Sequence, residues 1–182
     1  MVTRRRAEIW VDPASEVRFE GRATGDERGI IVDLLAAQRK TLELKCAGLS
    51  TELAHRSVEP STLSLLGLVR HLADLERRWF RRALAGEHAP ALFSSPDHPD
   101  GDFDNVKGDP ASVAEAWQAW RDEVAFADQL VAEAPHLDIE GTDSWRGQIS
   151  LRWVLIHMIE EYARHNGHAD LLRERIDGTI GV

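Results

Sequence analysis

One predicted helix, running from Ser150 to about Ile176, carries four polar side chains that are able to bind a metal ion. At 3.6 residues per turn, steps of four, four and three residues return each side chain to nearly the same face. Apolar residues flank this face, so we expect it to be buried, and burying imidazoles and a carboxylate is costly unless a partner compensates them. A divalent metal ion is the simplest such partner. The four residues are His157, Glu161, His165 and His168.

A single pair of Glu161 and His165 is weak evidence, because a Glu–His pair four residues apart also occurs as an ordinary ion pair on a helix surface. Helical bundles, however, build metal sites from side chains on facing helices. A second predicted helix offers one histidine, His71, beside its apolar seam. The two helices would then supply two imidazoles and one carboxylate. Coordination positions would remain open for a water, a thiol or a substrate oxygen.

A competing interpretation needs no metal. His71 and His165 would then be core histidines that are hydrogen-bonded to Glu76, to Tyr162 or to the backbone. The residues alone leave both interpretations open.

The two other histidines of the stripe have different expected roles. His157 lies one turn before Glu161, so it could be a ligand, a hydrogen-bond partner of a ligand or a simple surface residue. His168 follows His165 closely and suits an orienting or acid–base role better than coordination.

Four helices are predicted to position these residues, over 26–47, 63–84, 110–134 and 150–176. Thr24 with Glu27 has the pattern of a capping box, and Asp109 before Pro110 is a typical helix start. No convincing strand and no internal repeat is found. The sequence therefore predicts an all-α fold, a four-helix bundle with a long loop between helices two and three. Residues 1–25 are predicted to form an N-terminal extension, and residues 26–178 the bundle.

The long loop, from Gly86 to Asp109, is rich in proline and aspartate and is expected to border the site. Its acidic residues could suggest a calcium site, but the spacing and the final glutamate of an EF-hand are missing. A turn-rich acidic crossover is the favoured interpretation. The acidic residues are Asp97, Asp100, Asp102 and Asp104.

The charge and the apolar pattern exclude several classes of function. With 31 acidic and 22 basic residues the net charge is −9, which is wrong for neutralising the phosphates of a nucleic acid. No apolar run reaches the length of about 18 residues that spans a bilayer, and no secretory signal is recognisable. We therefore expect a cytoplasmic protein that binds neither nucleic acid nor membrane. The single cysteine, Cys46, is expected to be a packed thiol rather than a nucleophile.

Three segments resemble the DinB/YfiT-like metalloenzyme superfamily, and more narrowly its mycothiol-dependent branch of maleylpyruvate isomerase-like proteins and mycothiol S-transferases. The segments are Leu66–Leu72, Ser150–Glu161 and Arg164–Asp170, and the resemblance covers most of the chain from about residue 26 to the end, including the loop His98–Asp104.

The resemblance implies a four-helix bundle that holds a divalent metal, often zinc or nickel. One histidine of helix two and two ligands four residues apart on the last helix bind it. In the maleylpyruvate isomerase type the first of these two ligands is a glutamate, which gives His71, Glu161 and His165 here. The commoner three-histidine version would need histidine at position 161, so His157 is left as an alternative ligand. Zinc is the first expectation, and nickel, iron or manganese also suits these ligands.

The resemblance also implies S-transfer or isomerisation with a low-molecular-weight thiol, mycothiol in actinobacteria, which the metal binds as a thiolate. An unreactive Cys46 agrees with a need for an external nucleophile. The expected protein is a metal-dependent thiol S-transferase with His168 as a catalytic residue. Its small electrophilic substrate would lie between the helix ends and the long loop.

Two alternatives remain open. One is a non-catalytic helical bundle that binds a ligand or a partner. The other is a hydrolase that uses a metal-activated water, with His168 or His157 as the base. For either function the expected assembly is a monomer or a homodimer.

Overall fold

A computed structural model describes residue 18 and residues 21–46, 49–104 and 106–180 of the chain. This part is mostly helical, as predicted. The predicted N-terminal extension lies largely outside it. None of its helices has the length and apolar character that a membrane span requires. The helices are α1 (Glu27–Cys46), α2 (Thr51–His55), α3 (Leu65–Glu76), α4 (Pro110–Glu133) and α5 (Leu151–Ile176).

The helix α1 begins one residue later than predicted, and its cap is not the predicted Thr24. Asp26 caps the helix, since its Oδ1 accepts a hydrogen bond from Gly29 N at 2.9 Å. The capping box of Thr24 and Glu27 is therefore wrong, because Glu27 is the first residue of the helix and not its third. The caps predicted for the last two long helices are correct. Asp109 Oδ1 accepts from Ser112 N, and Ser150 Oγ accepts from Trp153 N.

The second predicted helix, 63–84, is present but changes character midway. After α3 ends at Glu76, the chain continues without a break into a π-helical segment, Arg77–Leu84. A wider turn of this kind shifts the side chains that follow it relative to a regular helix. Trp79, Phe80 and Ala83 of this segment are buried in the core.

The expectation of no strands is wrong. Strands β1 (Glu140–Asp143) and β2 (Gly147–Ser150) form an antiparallel hairpin, with Glu140 opposite Ser150 and Asp143 opposite Gly147. Gly147, the first residue of β2, has a φ of 79°, a conformation that favours glycine. These strands lack the alternation of apolar and polar residues that is typical of a β-strand, so the sequence did not indicate them.

The four long helical elements pack in contact with one another around a common core. α1 packs along α5, α3 packs along α4, and α3 also contacts α5. Leu residues of α1 and α3 and apolar residues of α5 fill the space between them. Because α3 and α5 face each other, polar side chains on their facing sides come together. The long loop predicted between the second and third helices follows the π-helical segment and lies against α3.

Candidate metal centre

His71 on α3 and Glu161 and His165 on α5 lie together between the two helices. Each offers one ligand atom, and these atoms all lie within 4.8 Å of one another. His165 Nε2 is 3.5 Å from Glu161 Oε2, and the ring centres of His71 and His165 are 4.7 Å apart. Two imidazoles and a carboxylate at this spacing form a donor set that could hold one divalent ion.

The three side chains differ in exposure. His165 is 8% exposed and Glu161 is 12% exposed, whereas His71 is 20% exposed. All three side chains are thus largely buried, and His71 is the most exposed of them.

The surroundings of His165 favour the neutral form of its ring. Burial lowers the pKa of His165 to about 3, and the neighbouring His71, His168 and Arg164 act in the same direction. At neutral pH one ring nitrogen then keeps a free lone pair. A neutral imidazole is the form that binds a metal ion, so the residue fits the proposed donor set.

The hydrogen-bond partners that the metal-free interpretation offered to the histidines are engaged elsewhere. Tyr162 donates its hydroxyl to Glu76 Oε1 at 2.8 Å, and both Glu76 oxygens accept from Arg39, at 2.8 and 2.7 Å. The hydrogen bonds found for the Glu76 carboxylate and the Tyr162 hydroxyl do not involve His71 or His165. The pairing of the two histidines with Glu76 or Tyr162 is therefore wrong.

Asp102 is the functional candidate that sequence reasoning missed. Its Oδ2 lies 2.6 Å from His71 Nδ1, and the residue is only 5% exposed. The His71 ring also stacks on Phe103, with ring centres 4.5 Å apart. In the sequence, Asp102 is one of four closely spaced aspartates of the loop and does not stand out from the others. No periodicity links Asp102 to His71, which lies 31 residues earlier. The resemblance to the mycothiol-dependent branch includes the loop His98–Asp104 but assigns no role to Asp102.

His168 lies on the far side of His165 from Glu161. Its Nδ1 is 3.3 Å from His165 Nδ1, and its ring is half-buried. One of these two nitrogens must carry the proton that the other accepts. His168 is thus placed to fix the orientation and tautomer of His165, and it is not one of the three residues whose ligand atoms converge.

His157 also lies beside the cluster without joining it. Its Nε2 is 3.7 Å from Glu161 Oε1, the oxygen that faces away from His165. The ring is held by two aromatic side chains: it stacks on Trp153 at 4.7 Å and meets the edge of Trp79 at 5.1 Å. This position suits a hydrogen-bond partner of Glu161 better than a ligand.

Cys46 is buried, with its Sγ 4.0 Å from the carbonyl oxygen of Leu65. Burial raises the pKa of the Cys46 thiol to about 12, although Arg173 and Lys45 act in the opposite direction. A thiol in this state is a poor nucleophile, as the sequence predicted. Any sulfur chemistry at the His–Glu–His cluster must therefore use a thiol from outside the chain.

The fold and the cluster together define a helical protein with a candidate metal centre between two of its long helices. The family model for mycothiol-S-transferases matches residues 30–178, which run from the first turn of α1 to just beyond α5. The chain therefore belongs to the mycothiol-S-transferase family and is a mycothiol-related enzyme. The predicted resemblance to the mycothiol-dependent branch is confirmed. A comparison with curated proteins finds no match.

Proposed function

We propose that this protein is a metal-dependent mycothiol S-transferase in which His71, Glu161 and His165 hold one divalent ion. The observation that carries the proposal is the convergence of three ligand atoms, from two facing helices, within 4.8 Å. In this proposal α1, α3 with its π-helical segment, α4 and α5 form a four-helix bundle over residues 26–178. Membership of the family indicates that the thiol is mycothiol. In this proposal the thiol is activated at the cluster of His71, Glu161 and His165.

The donor set suits a zinc ion first, and nickel, iron or manganese accept the same ligands. A divalent ion held there would lower the pKa of a coordinated thiol and keep it in the thiolate form. Glu161 contributes the one negative charge among the three ligands. The exposed side of His71 is the direction from which a thiol and a small electrophilic substrate would enter.

In the proposed reaction a sulfur lone pair of the thiolate forms a new carbon–sulfur bond with the substrate. The leaving group takes the electron pair of the bond that breaks, and it also takes up a proton equivalent to the one that the thiol released. We assign that proton to His168, whose Nδ1 lies 3.3 Å from His165 Nδ1. In this proposal His168 orients His165 and is the acid–base group of the reaction.

The first experiment is the metal content of untagged protein, measured by mass spectrometry for wild type, His71→Ala and His165→Ala. We expect about one ion per chain in the wild type and loss of the ion in both variants. His136→Ala, at an exposed position distant in sequence from the cluster, is the matched control and should keep the ion.

A wild-type protein that contains no metal, and takes none up on titration, would contradict the proposal. Turnover should also depend on added thiol. A metal-containing protein that turns over equally well without thiol would instead indicate a hydrolase.

A further inference from the structure

The long loop is tied to α3 at points on both sides of His71 in sequence. Arg70 Nη2 donates to the carbonyl oxygen of Gly101 at 2.7 Å. Asp74 accepts hydrogen bonds from three consecutive loop amides, residues 92–94, at 2.5, 3.2 and 3.0 Å. A side chain at Gly101 would come within 2.6 Å of the Phe93 carbonyl oxygen, so the two ends of the tied segment also pack on each other. Residues 92–103 thus form a folded flap on α3.

The loop also buries one of its own carboxylates, that of Asp102, close to these hydrogen bonds. Asp102 is 5% exposed, and its Oδ1 accepts from Phe103 N at 3.1 Å. Its Oδ2 lies 2.6 Å from His71 Nδ1. Three other aspartates of the loop, at positions 97, 100 and 104, are exposed. Burying a carboxylate is costly unless it is paired, and the contact with His71, the Phe103 amide and the nearby charge of Arg70 together offset the burial of Asp102.

This contact determines which nitrogen of His71 can act as a ligand. A carboxylate only accepts, so His71 Nδ1 carries the hydrogen and donates it to Asp102. The lone pair of His71 is then on Nε2, the nitrogen left to face Glu161 and His165. Histidines that bind metals commonly donate their other N–H to a carboxylate, which fixes the tautomer and raises the basicity of the ligand nitrogen.

From this geometry we infer that Asp102 is a positioning residue of the metal centre, and that docking of the 92–103 flap is coupled to metal binding. The inference rests on the proposed metal site. Coupling between two binding events is reciprocal. If the contact between Asp102 and His71 raises the affinity of the site for a metal ion, then a bound ion favours that contact, and therefore docking of the flap on α3, by the same factor.

The test compares Asp102→Asn with wild type and with Asp104→Asn, which changes an exposed aspartate two residues away. Zinc affinity is measured by competition with a chromophoric chelator. The visible spectrum of cobalt(II) reports the geometry of the site. We expect Asp102→Asn to bind zinc about 10- to 100-fold more weakly and to alter the cobalt spectrum, with no change in Asp104→Asn. Asp102→Glu keeps the charge and should recover part of the affinity.

Hydrogen exchange provides a readout of the flap itself. In the wild type, the amides of residues 92–94 and 103 should exchange more slowly when zinc is bound. In Asp102→Asn this gain should be lost, while the core helices remain protected, which shows that the variant is folded.

The possible results distinguish the role of Asp102 and the flap from the existence of the metal site. Equal zinc affinity and an equal cobalt spectrum in Asp102→Asn and wild type would overturn the positioning role but leave the His–Glu–His site standing. Exchange of the flap that is unaffected by zinc in the wild type would overturn the coupling. Failure of the wild type to bind any ion would overturn the proposed function.

Discussion

The two oxygens of Glu161 have different neighbours, and this difference assigns them different roles. Oε2 faces His165 Nε2 at 3.5 Å, whereas Oε1 faces Arg164 Nη1 at 3.3 Å and His157 Nε2 at 3.7 Å. One oxygen is therefore directed to the cluster. The other faces the Arg164 cation and the His157 imidazole. Removing Glu161 would take away the one negative charge of the proposed ligand set.

We predict that Glu161→Ala and His168→Ala separate metal binding from turnover. Glu161→Ala removes a ligand and should leave the purified protein with little metal. His168→Ala should retain the metal but lower thiol-dependent turnover roughly 100-fold or more, the usual range for loss of an acid–base group. Metal content is measured on the purified proteins, and turnover on the same preparations before and after addition of zinc. Equal metal content in Glu161→Ala and wild type would contradict the ligand assignment.

The state of Cys46 predicts that this residue takes no part in catalysis. Cys46→Ala should retain thiol-dependent turnover within about twofold, because a buried thiol with a pKa of about 12 does not supply a thiolate. The variant should be less stable by about 1 kcal/mol, the usual effect of deleting one small buried group. Turnover and urea denaturation measure the two effects. A variant that keeps its metal but loses activity would show that Cys46 is the nucleophile.

Among the secondary-structure elements, the hairpin and the π-helical segment form one unit beside the site. Arg78 donates two hydrogen bonds to Asp143 of β1, both at 3.0 Å. A side chain at Gly141 would collide with the carbonyl of Ala83, so the strand lies directly on the segment. The guanidinium of Arg78 also lies over the ring of Trp79, and Trp79 contacts His157. The hairpin therefore supports, through the π-helical segment, a wall of the candidate site.

The Arg78–Asp143 pair predicts how the stability of this unit depends on pH. Burial alone would raise the pKa of Asp143, but hydrogen bonds from Arg78 and from the amides of Arg146 and Trp145 lower it to about 2, from 3.8. A carboxylate whose pKa is lower in the folded protein than in the unfolded chain stabilises the fold at pH values above the unfolded-state pKa. That stabilisation is lost as the pH falls through the folded-state pKa. The pair should therefore contribute fully above about pH 5 and progressively less between pH 4 and pH 2.

We predict that Asp143→Asn is less stable than wild type by about 2 kcal/mol at pH 7, and that the difference shrinks as the pH falls from about 4 to 2. Thermal or urea denaturation across this range provides the measurement. Asp97→Asn, at an exposed loop position, is the control and should show neither effect. A difference between Asp143→Asn and wild type that stays constant down to pH 2 would contradict the role of the ion pair.

Local rules were sufficient for some elements and insufficient for others. Asp109 and Ser150 were correctly predicted as helix caps because a cap needs only neighbours within one turn. Helical periodicity placed Glu161 and His165 on one face of α5, and the family resemblance selected them together with His71 as the ligand set. The polar hairpin and the contact of Asp102 with His71 depend on pairings remote in sequence, which periodicity does not report. The π-helical segment keeps the apolar pattern of a helix, so its wider turn gave no signal.

At the scale of the whole molecule, a buried polar network joins all four long helical elements. Arg39 of α1 pairs with Glu76 of α3, which is fully buried, and Tyr162 of α5 donates to the same carboxylate. Trp120 of α4 donates to the Tyr162 hydroxyl at 2.7 Å. Tyr162 follows Glu161 directly in sequence, so the network and the candidate metal centre share one stretch of α5.

The network predicts a large loss of stability when its central carboxylate is removed. Glu76→Ala leaves the guanidinium of Arg39 buried with Asp128, at 2.7 Å from Nη1, as its one charged partner among the described residues. Breaking a buried ion pair by removing one partner typically costs about 3–5 kcal/mol. Asp128 is largely exposed and still faces Arg39, so we expect a value near 3 kcal/mol. Urea denaturation measures it, with the exposed Glu174→Ala as the control.

A double variant distinguishes the cost of the unpaired charge from the value of the pair. Arg39→Met combined with Glu76→Leu replaces both charges by apolar groups of similar size, and such exchanges are often neutral or stabilising. We expect the double variant to recover most of the stability that Glu76→Ala loses. If it is as unstable as the single variant, the hydrogen bonds of Tyr162 and Trp120 to the network are the dominant contribution. In that case Tyr162→Phe alone should destabilise the protein by a similar amount.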